Sequence, residues 1–164
     1  MINLEEYAGS KEFPLAETGD YEVVLKIERR TTRDGTKEYL NCDFEIRSDV
    51  TQNCGGVHIF DKVWADKQNP SWFDLKKLGS ILATQKNKEG YRNSFNEVDE
   101  FILYINGAHM IVSVEKVYDE YQEKDVNNIK YLSYKPSKWD LTHDPIANEP
   151  AQKLEVPEES ELPF

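Results

Sequence analysis

Residues 21–30 read YEVVLKIERR, residues 38–47 read EYLNCDFEIR and residues 57–64 read VHIFDKVW. Tyr21, Val23, Leu25 and Ile27 fall on one face of the first run, and Leu40, Cys42, Phe44 and Ile46 on one face of the second. Alternation with a period of two is the pattern of a strand with one face in a core. In the third run Val57 and Ile59 share one face, while His58, Phe60, Lys62 and Trp64 share the other. That second face is not simply polar. It interleaves aromatic rings with an imidazole and an ammonium, the groups that stack on bases and neutralise phosphates. The three runs predict three strands joined by two turns.

From the end of the first run to the start of the second come Arg29, Arg30, Arg33 and Lys37 with a single acid, Asp34. Asp34-Gly35 is a hairpin signal, because glycine accepts the positive φ that such turns require. A basic hairpin tip beside an aromatic strand points to phosphate contact, with Lys26 adding a cation on the polar face of the first strand. The second strand is expected to expose Tyr39, Asn41, Asp43, Glu45 and Arg47. Asp43 and Glu45 repel a phosphate chain, which leaves Tyr39 and Arg47 as the useful ends. Residues 49–56 are rich in turn formers and read as a loop.

Downstream, Asn69-Pro70 predicts a helix start, Asn as cap and Pro at the first helical position. Phe73, Leu75, Leu78, Ile81 and Leu82 then form a helical stripe facing a core. Glu97 to Ile105 reads as a short amphipathic segment stopped by Asn106-Gly107. A fourth strand is expected over His109 to Tyr118, with Met110, Val112 and Val114 inward. Residues 119–128 carry four acids against one Lys and read as a loop. A fifth strand is expected over Ile129 to Lys135, stopped by Pro136, with either Tyr131 or Tyr134 outward. At the N-terminus, Asn3 and Glu6 have the spacing to cap one helical turn, and Gly19-Asp20 breaks the chain before the first strand.

The chain has 164 residues, enough for one domain with a real core and modest extensions. No apolar run is long enough to span a bilayer, and the N-terminus has no charged-then-apolar signal pattern. A cytoplasmic address is expected, with no membrane association. Cys42 lies on an apolar strand face and reads as a buried small hydrophobe. Cys54 and His58 are four apart, but a structural zinc site needs four ligands and no second pair is visible. No metal or cofactor is implied. No nucleophile motif, phosphate loop or acid/base spacing marks an enzyme.

The net charge is −11, which at face value argues against nucleic acid. From Asp144 to Phe164 six acids meet one Lys, a net of −5, so residues 1–143 keep −6. A nucleic-acid site must then be a local basic and aromatic strip, not a global positive field. The competing class is an acidic interaction protein, such as a DNA mimic, which should display carboxylates in rows. Beyond Asp144 the chain holds four of its seven prolines and almost no large apolar residue, the composition of a disordered tail.

Three strands, a helix and two more strands match the order of the OB-fold, a five-stranded Greek-key barrel that binds nucleic acid on its strand two–three face and adjoining loops. The last residues, Glu158-Glu159-Ser160-Glu161-Leu162-Pro163-Phe164, resemble the C-terminal tip of bacterial and phage single-stranded DNA-binding proteins. Glu and Ser stand here in place of the usual Asp run. The body resembles phage-encoded OB-fold single-strand binders over about residues 19–140, on Gly19-Asp20-Tyr21, the strand pattern after it, and Asn128-Ile129 with Tyr131. The resemblance implies an N-terminal extension over residues 1–20, an OB domain over 21–143 and an acidic tail over 144–164. It implies a protein that coats single-stranded DNA with little sequence preference during phage replication or recombination. The expected DNA-contacting residues are Lys26, Arg29, Arg30, Arg33, Lys37, Tyr39, Arg47, His58, Phe60, Lys62, Trp64, Lys130, Tyr131 and Tyr134. Replication, repair or recombination proteins are the expected partners of Glu158, Glu159, Glu161, Leu162, Pro163 and Phe164, and a homo-oligomer is compatible with the pattern.

Overall fold

The alternating runs pair as one antiparallel sheet. In the computed structural model, which describes Met1 and residues 14–138, β1 spans Gly19–Thr31, β2 Glu38–Ile46 and β3 His58–Trp64. Helices α1 (Leu75–Ala83) and α2 (Val98–Ile105) follow, then β4 (His109–Asp119), β5 (Lys124–Ile129) and the two-residue β6 (Lys135–Pro136). The strand order is β3-β2-β1-β4-β5, with β6 paired to β4. The fold is mainly β: an antiparallel sheet of six strands with two helices. Among the described residues no helix is long and apolar enough to cross a membrane.

The long β1 is the hub. Its first half pairs with β4, from Gly19 opposite Val114 to Val24 opposite His109. From Val23 opposite Ile46 to Thr31 opposite Glu38 it pairs with β2. The inward rows are those the alternation marks: Val23, Leu25, Ile27, Leu40, Cys42, Phe44, Ile46, Ile59, Val63, Met110, Val112 and Val114 are all buried. Each large aliphatic side chain so buried contributes about 1.5–3 kcal/mol of transfer free energy. Where β1 outruns β4, Asn106 extends the ladder with its side chain. Its Oδ1 accepts from Ile27 N–H at 2.6 Å and its Nδ2 donates to the Ile27 carbonyl at 3.3 Å.

The turn before β3 depends on Gly55. A Cβ there would lie 3.0 Å from Ser48 Cβ and 3.1 Å from Ser48 Cα, so the two backbones approach only because the position has no side chain. At the β1–β2 tip Gly35 takes φ +76°, as the Asp34-Gly35 signal requires.

Two elements differ from the sequence expectation. Asn69-Pro70 makes a turn, with Trp72 N–H donating to the Asn69 carbonyl at 2.8 Å. Phe73 is held in an extended bridge to Ala65, so α1 begins at Leu75. Its cap is Asp74, whose carboxylate accepts from Lys77 N–H. Leu78 and Ile81 are buried as the stripe predicts, but Leu75 is exposed. The fifth strand is also displaced. Lys124–Ile129 pairs with the far end of β4, from Val114 opposite Ile129 to Asp119 opposite Lys124. Residues 119–128 are thus mostly a tight hairpin. Residues 130–134 are a turn in which Leu132 takes φ +57°. The expected cap at Asn3 and Glu6 and the acidic tail from Asp144 lie outside the described residues.

The strands at the ends of the sheet order, β3 and β5, are neighbours in space. Grooves between and beside them run along the outer face of β3, and that places the candidate site.

Candidate nucleic-acid interface

The outer face of β3 carries His58, Phe60, Lys62 and Trp64, all exposed, between the buried Ile59 and Val63. Phe60 keeps 56% of its surface open and Trp64 43%, too much for core residues. Antiparallel register sets Tyr39 opposite Trp64, Asn41 opposite Lys62, Asp43 opposite Phe60 and Glu45 opposite His58. β1 adds Arg30, Glu28 and Lys26 as the Cα partners of Tyr39, Asn41 and Asp43.

Side chains on this face organise one another. The Tyr39 and Trp64 rings lie 5.1 Å apart at 46°. Lys62 Nζ stands 4.9 Å from the Tyr39 centroid and 5.7 Å from that of Trp64. Such contacts hold a cation at the rings without burying it. Farther along, His58 and Phe60 stack with centroids 6.1 Å apart and planes 14° apart. His58 Nδ1 meets Asp43 Oδ1 at 2.8 Å, and its Nε2 lies 3.9 Å from Glu45 Oε2. The two carboxylates that the sequence reading sets against phosphate therefore cluster around one imidazole.

Three open grooves follow this row. One, of about 500 Å³, lies between β3 and β5 and is lined by Val57, Ile59 and Phe60 together with Pro14, Leu15 and Val126. The next, also about 500 Å³, is lined by Phe60, Asp61, Glu115, Asn128, Ile129, Lys130 and Tyr131. The third, about 430 Å³, runs from Lys62 and Trp64 past residues 65–68 to Asp74 and Lys77. Phe60 belongs to two of the three, so the row of outward residues and the row of grooves form one path.

The family model described as "Protein of unknown function (DUF669)" matches residues 4–147. The chain belongs to the DUF669 family. No curated protein matches it.

In this DUF669 chain, the structure brings Tyr39, His58, Phe60, Lys62 and Trp64 onto one face and sets Lys130 and Tyr131 at a groove shared with Phe60. Tyr131 is 62% exposed. The β1–β2 hairpin cations are less free than their number suggests. Arg29 bonds Glu38 at 2.9 Å and Asp99 at 3.1 Å, and these partners raise its pKa. Arg30 bonds Glu28 at 2.8 Å, and Lys26 lies 3.8 Å from the same carboxylate. Arg33 and Lys37 are exposed near the tip.

Two expected site residues are corrected. Arg47 does not face outward. Its side chain is 2% exposed, with Nη2 2.7 Å from Asp49 Oδ2 and Nη1 3.5 Å from Glu22 Oε1. The strand ends at Ile46, so Arg47 escapes the alternation and turns into the protein. Tyr134 is not outward either. It stacks on buried Phe44 at 5.9 Å and 24°, and burial pushes its phenol far above the ordinary range. Asn41, expected to be exposed, is buried as well. Sequence reasoning missed the part that β5 plays in the grooves, because its polar residues carry no strand alternation. Residues Glu158 to Phe164 lie outside the described residues.

Proposed function

We propose that this protein binds single-stranded DNA along the outer face of β2 and β3, coating it with little overall sequence preference. The observation that carries the reading is the unbroken exposed row His58, Phe60, Lys62, Trp64 with its grooves. Aromatic faces accept any base by stacking, and interleaved cations meet the backbone. The strand order supports an OB-type barrel, since β3 and β5 meet at the ends of the order β3-β2-β1-β4-β5. Binding on the strand two–three face is the habit of that fold. Tyr118 and Tyr121, 60% and 95% exposed in the β4–β5 hairpin, offer further stacking surfaces. The role is that of a binding protein in phage replication or recombination, not an enzyme.

Titration with single-stranded and duplex oligonucleotides of equal length tests the reading. Stacking needs an open base face, so single strands should bind far better. Comparable affinity for duplex would overturn it. A second reading, an acidic mimic of DNA, has the net charge of −11 in its favour. It fits the exposed rings poorly, and it predicts capture of DNA-processing proteins with no oligonucleotide binding at all.

Recruitment of replication, repair or recombination proteins through Glu158, Glu159, Glu161, Leu162, Pro163 and Phe164 belongs to the same proposal and rests on the sequence resemblance. An apolar ring preceded by acids fits a pocket rimmed by cations, and those acids steer its approach. Deleting Phe164 should abolish capture of such partners while DNA affinity stays. Equal capture with and without Phe164 would remove this arm.

A further inference from the structure

We propose that the groove shared by Phe60 and Tyr131 is a guanine-selective base subsite, in which Glu115 and Asn128 read the edge of one base. The inference rests on the single-strand reading above and names the base that one position of the strand prefers. The groove holds about 500 Å³ and is open to solvent, and both of its rings are exposed.

Two carboxylates line this groove, but one is already engaged. Asp61 Oδ2 lies 2.7 Å from Lys77 Nζ, and Asp61 Oδ1 accepts the Lys62 N–H at 3.0 Å. Glu115 is half-buried, and its carboxylate forms no hydrogen bond or ion pair among the described residues. Asn128 is its cross-strand partner on β5, and the Asn128 amide is likewise uncommitted among the described residues. The neighbouring Asn127 is the contrast, since its amide is tied to Ala16 and to the Glu115 carbonyl. Among the described residues, an uncommitted acceptor pair thus stands beside an uncommitted donor, at a groove with aromatic surfaces.

Guanine carries the matching edge. Its N1–H and N2–H are adjacent donors for the two carboxylate oxygens, and its O6 accepts from an amide N–H. Adenine and cytosine offer a single exocyclic amine. Thymine sets one N–H between two carbonyls that face the carboxylate's own lone pairs. Unstacked bases in single strands are read on this edge, and a site built to hydrogen-bond one partner rejects those that leave its polar groups unpaired. A neutral base also avoids the repulsion a phosphate would meet at Glu115, and Lys130 at the same groove can take the phosphate instead.

The test compares an oligothymidylate with the same oligomer carrying one central guanine, adenine, cytosine or hypoxanthine. Guanine should tighten binding about tenfold, the low end for a bidentate contact, and hypoxanthine, which lacks the N2 amine, should give only part of the gain. Glu115→Gln and Asn128→Asp should each bring the guanine-to-thymine ratio close to one, with circular dichroism and melting confirming the fold. Equal affinity for the thymine and guanine oligomers with wild-type protein overturns the inference and leaves the single-strand reading standing. Should neither oligomer bind, that reading fails, and NMR titration with dGMP and dTMP decides the subsite. Shifts at Glu115 and Asn128 for dGMP alone support it as a nucleotide site, and no selective shift overturns it.

Discussion

Arg47 Nη1 lies 3.5 Å from Glu22 Oε1 with both side chains almost wholly buried. Asp49 completes the cluster by taking Nε and Nη2 of the same guanidinium at 2.8 and 2.7 Å. Ser137 Oγ and Lys138 N–H donate to Glu22 at 2.6 and 2.7 Å. The cluster therefore ties the start of β1, the end of β2 and the segment after β6 together. Truncating one member of a buried ion pair leaves an uncompensated charge, at about 3–5 kcal/mol. Arg47→Ala should lose stability on that scale in urea unfolding, while the folded fraction keeps its affinity for single strands. Weakened binding without lost stability would return Arg47 to the interface.

The same cluster makes a pH prediction. Burial raises the Glu22 pKa, and bonds from Ser137 and Lys138 with the Arg47 charge offset only part of the rise. The folded state therefore holds the Glu22 proton more tightly than the unfolded chain, and stability falls as pH rises from the ordinary glutamate range through the raised value. Asp49 has the opposite sign. Burial would raise its pKa, but the Arg47 hydrogen bond and charge outweigh it and the net shift is downward. Its contribution is present above the ordinary aspartate value and lost as pH falls through the lowered one. Without Arg47 the Glu22 shift grows and the Asp49 contribution disappears. Mild acidification should thus recover more stability in Arg47→Ala than in wild-type protein. Parallel pH profiles for the two would contradict this.

Asp34 organises the β1–β2 tip. Its Oδ1 accepts from Thr32 Oγ1 at 2.7 Å, from Thr36 Oγ1 at 2.8 Å and from Thr36 N–H at 3.1 Å. The Thr32 bond first, and then those from Thr36, lower its pKa to about 2. The ordered tip is thus favoured above the ordinary aspartate value and loosens as pH falls through about 2. An NMR titration should find Asp34 titrating there. Asp34→Ala should speed exchange of the Gly35 and Thr36 amides. An ordinary titration value would mean that the tip is not held by this carboxylate.

Strands β1 to β4 were legible because each buries one face, so its apolar residues repeat with a period of two. The row from His58 to Trp64 was legible for the same reason, since the buried Ile59 and Val63 fix the side to which its residues point. β5 was not. KDVNNI has no apolar repeat, and its strand is held by pairing with β4 and by the Asn127 side chain. The start of α1 was hidden because Asn69-Pro70 serves a turn as well as it would a helix, and the bridge from Phe73 to Ala65 decides between them. Arg47 was misplaced because β2 ends at Ile46, and because Glu22, one of its two carboxylate partners, stands 25 residues earlier. Sequence spacing alone does not reveal such a pairing.

Phe60→Ala and Trp64→Ala test the stacking row. Both rings are exposed, so truncation should barely move the melting temperature. Each lost stack should weaken single-strand binding by about 1–3 kcal/mol. Trp64→Ala also removes a ring from Tyr39 and Lys62, so it should combine non-additively with Lys62→Ala. Full affinity in both ring variants would move the binding path off β3.

Salt dependence tests which cations meet phosphate. Arg29 and Arg30 already hold carboxylates within 3.1 Å, and exposed pairs of this kind are cheap to exchange but contribute little. Arg33, Lys37, Lys62 and Lys130 form no salt bridge among the described residues, and they spread from the hairpin tip to the far groove. If these four set the contacts, the slope of log affinity against log salt for single strands should lie near about −3, at about −0.7 per phosphate. Lys62→Ala and Lys130→Ala should each make it shallower by about 0.7, whereas Arg47→Ala should leave it where it is. A slope near zero in wild-type protein would mean that stacking alone holds the strand. A slope unchanged by Lys62→Ala would place the backbone elsewhere on the sheet.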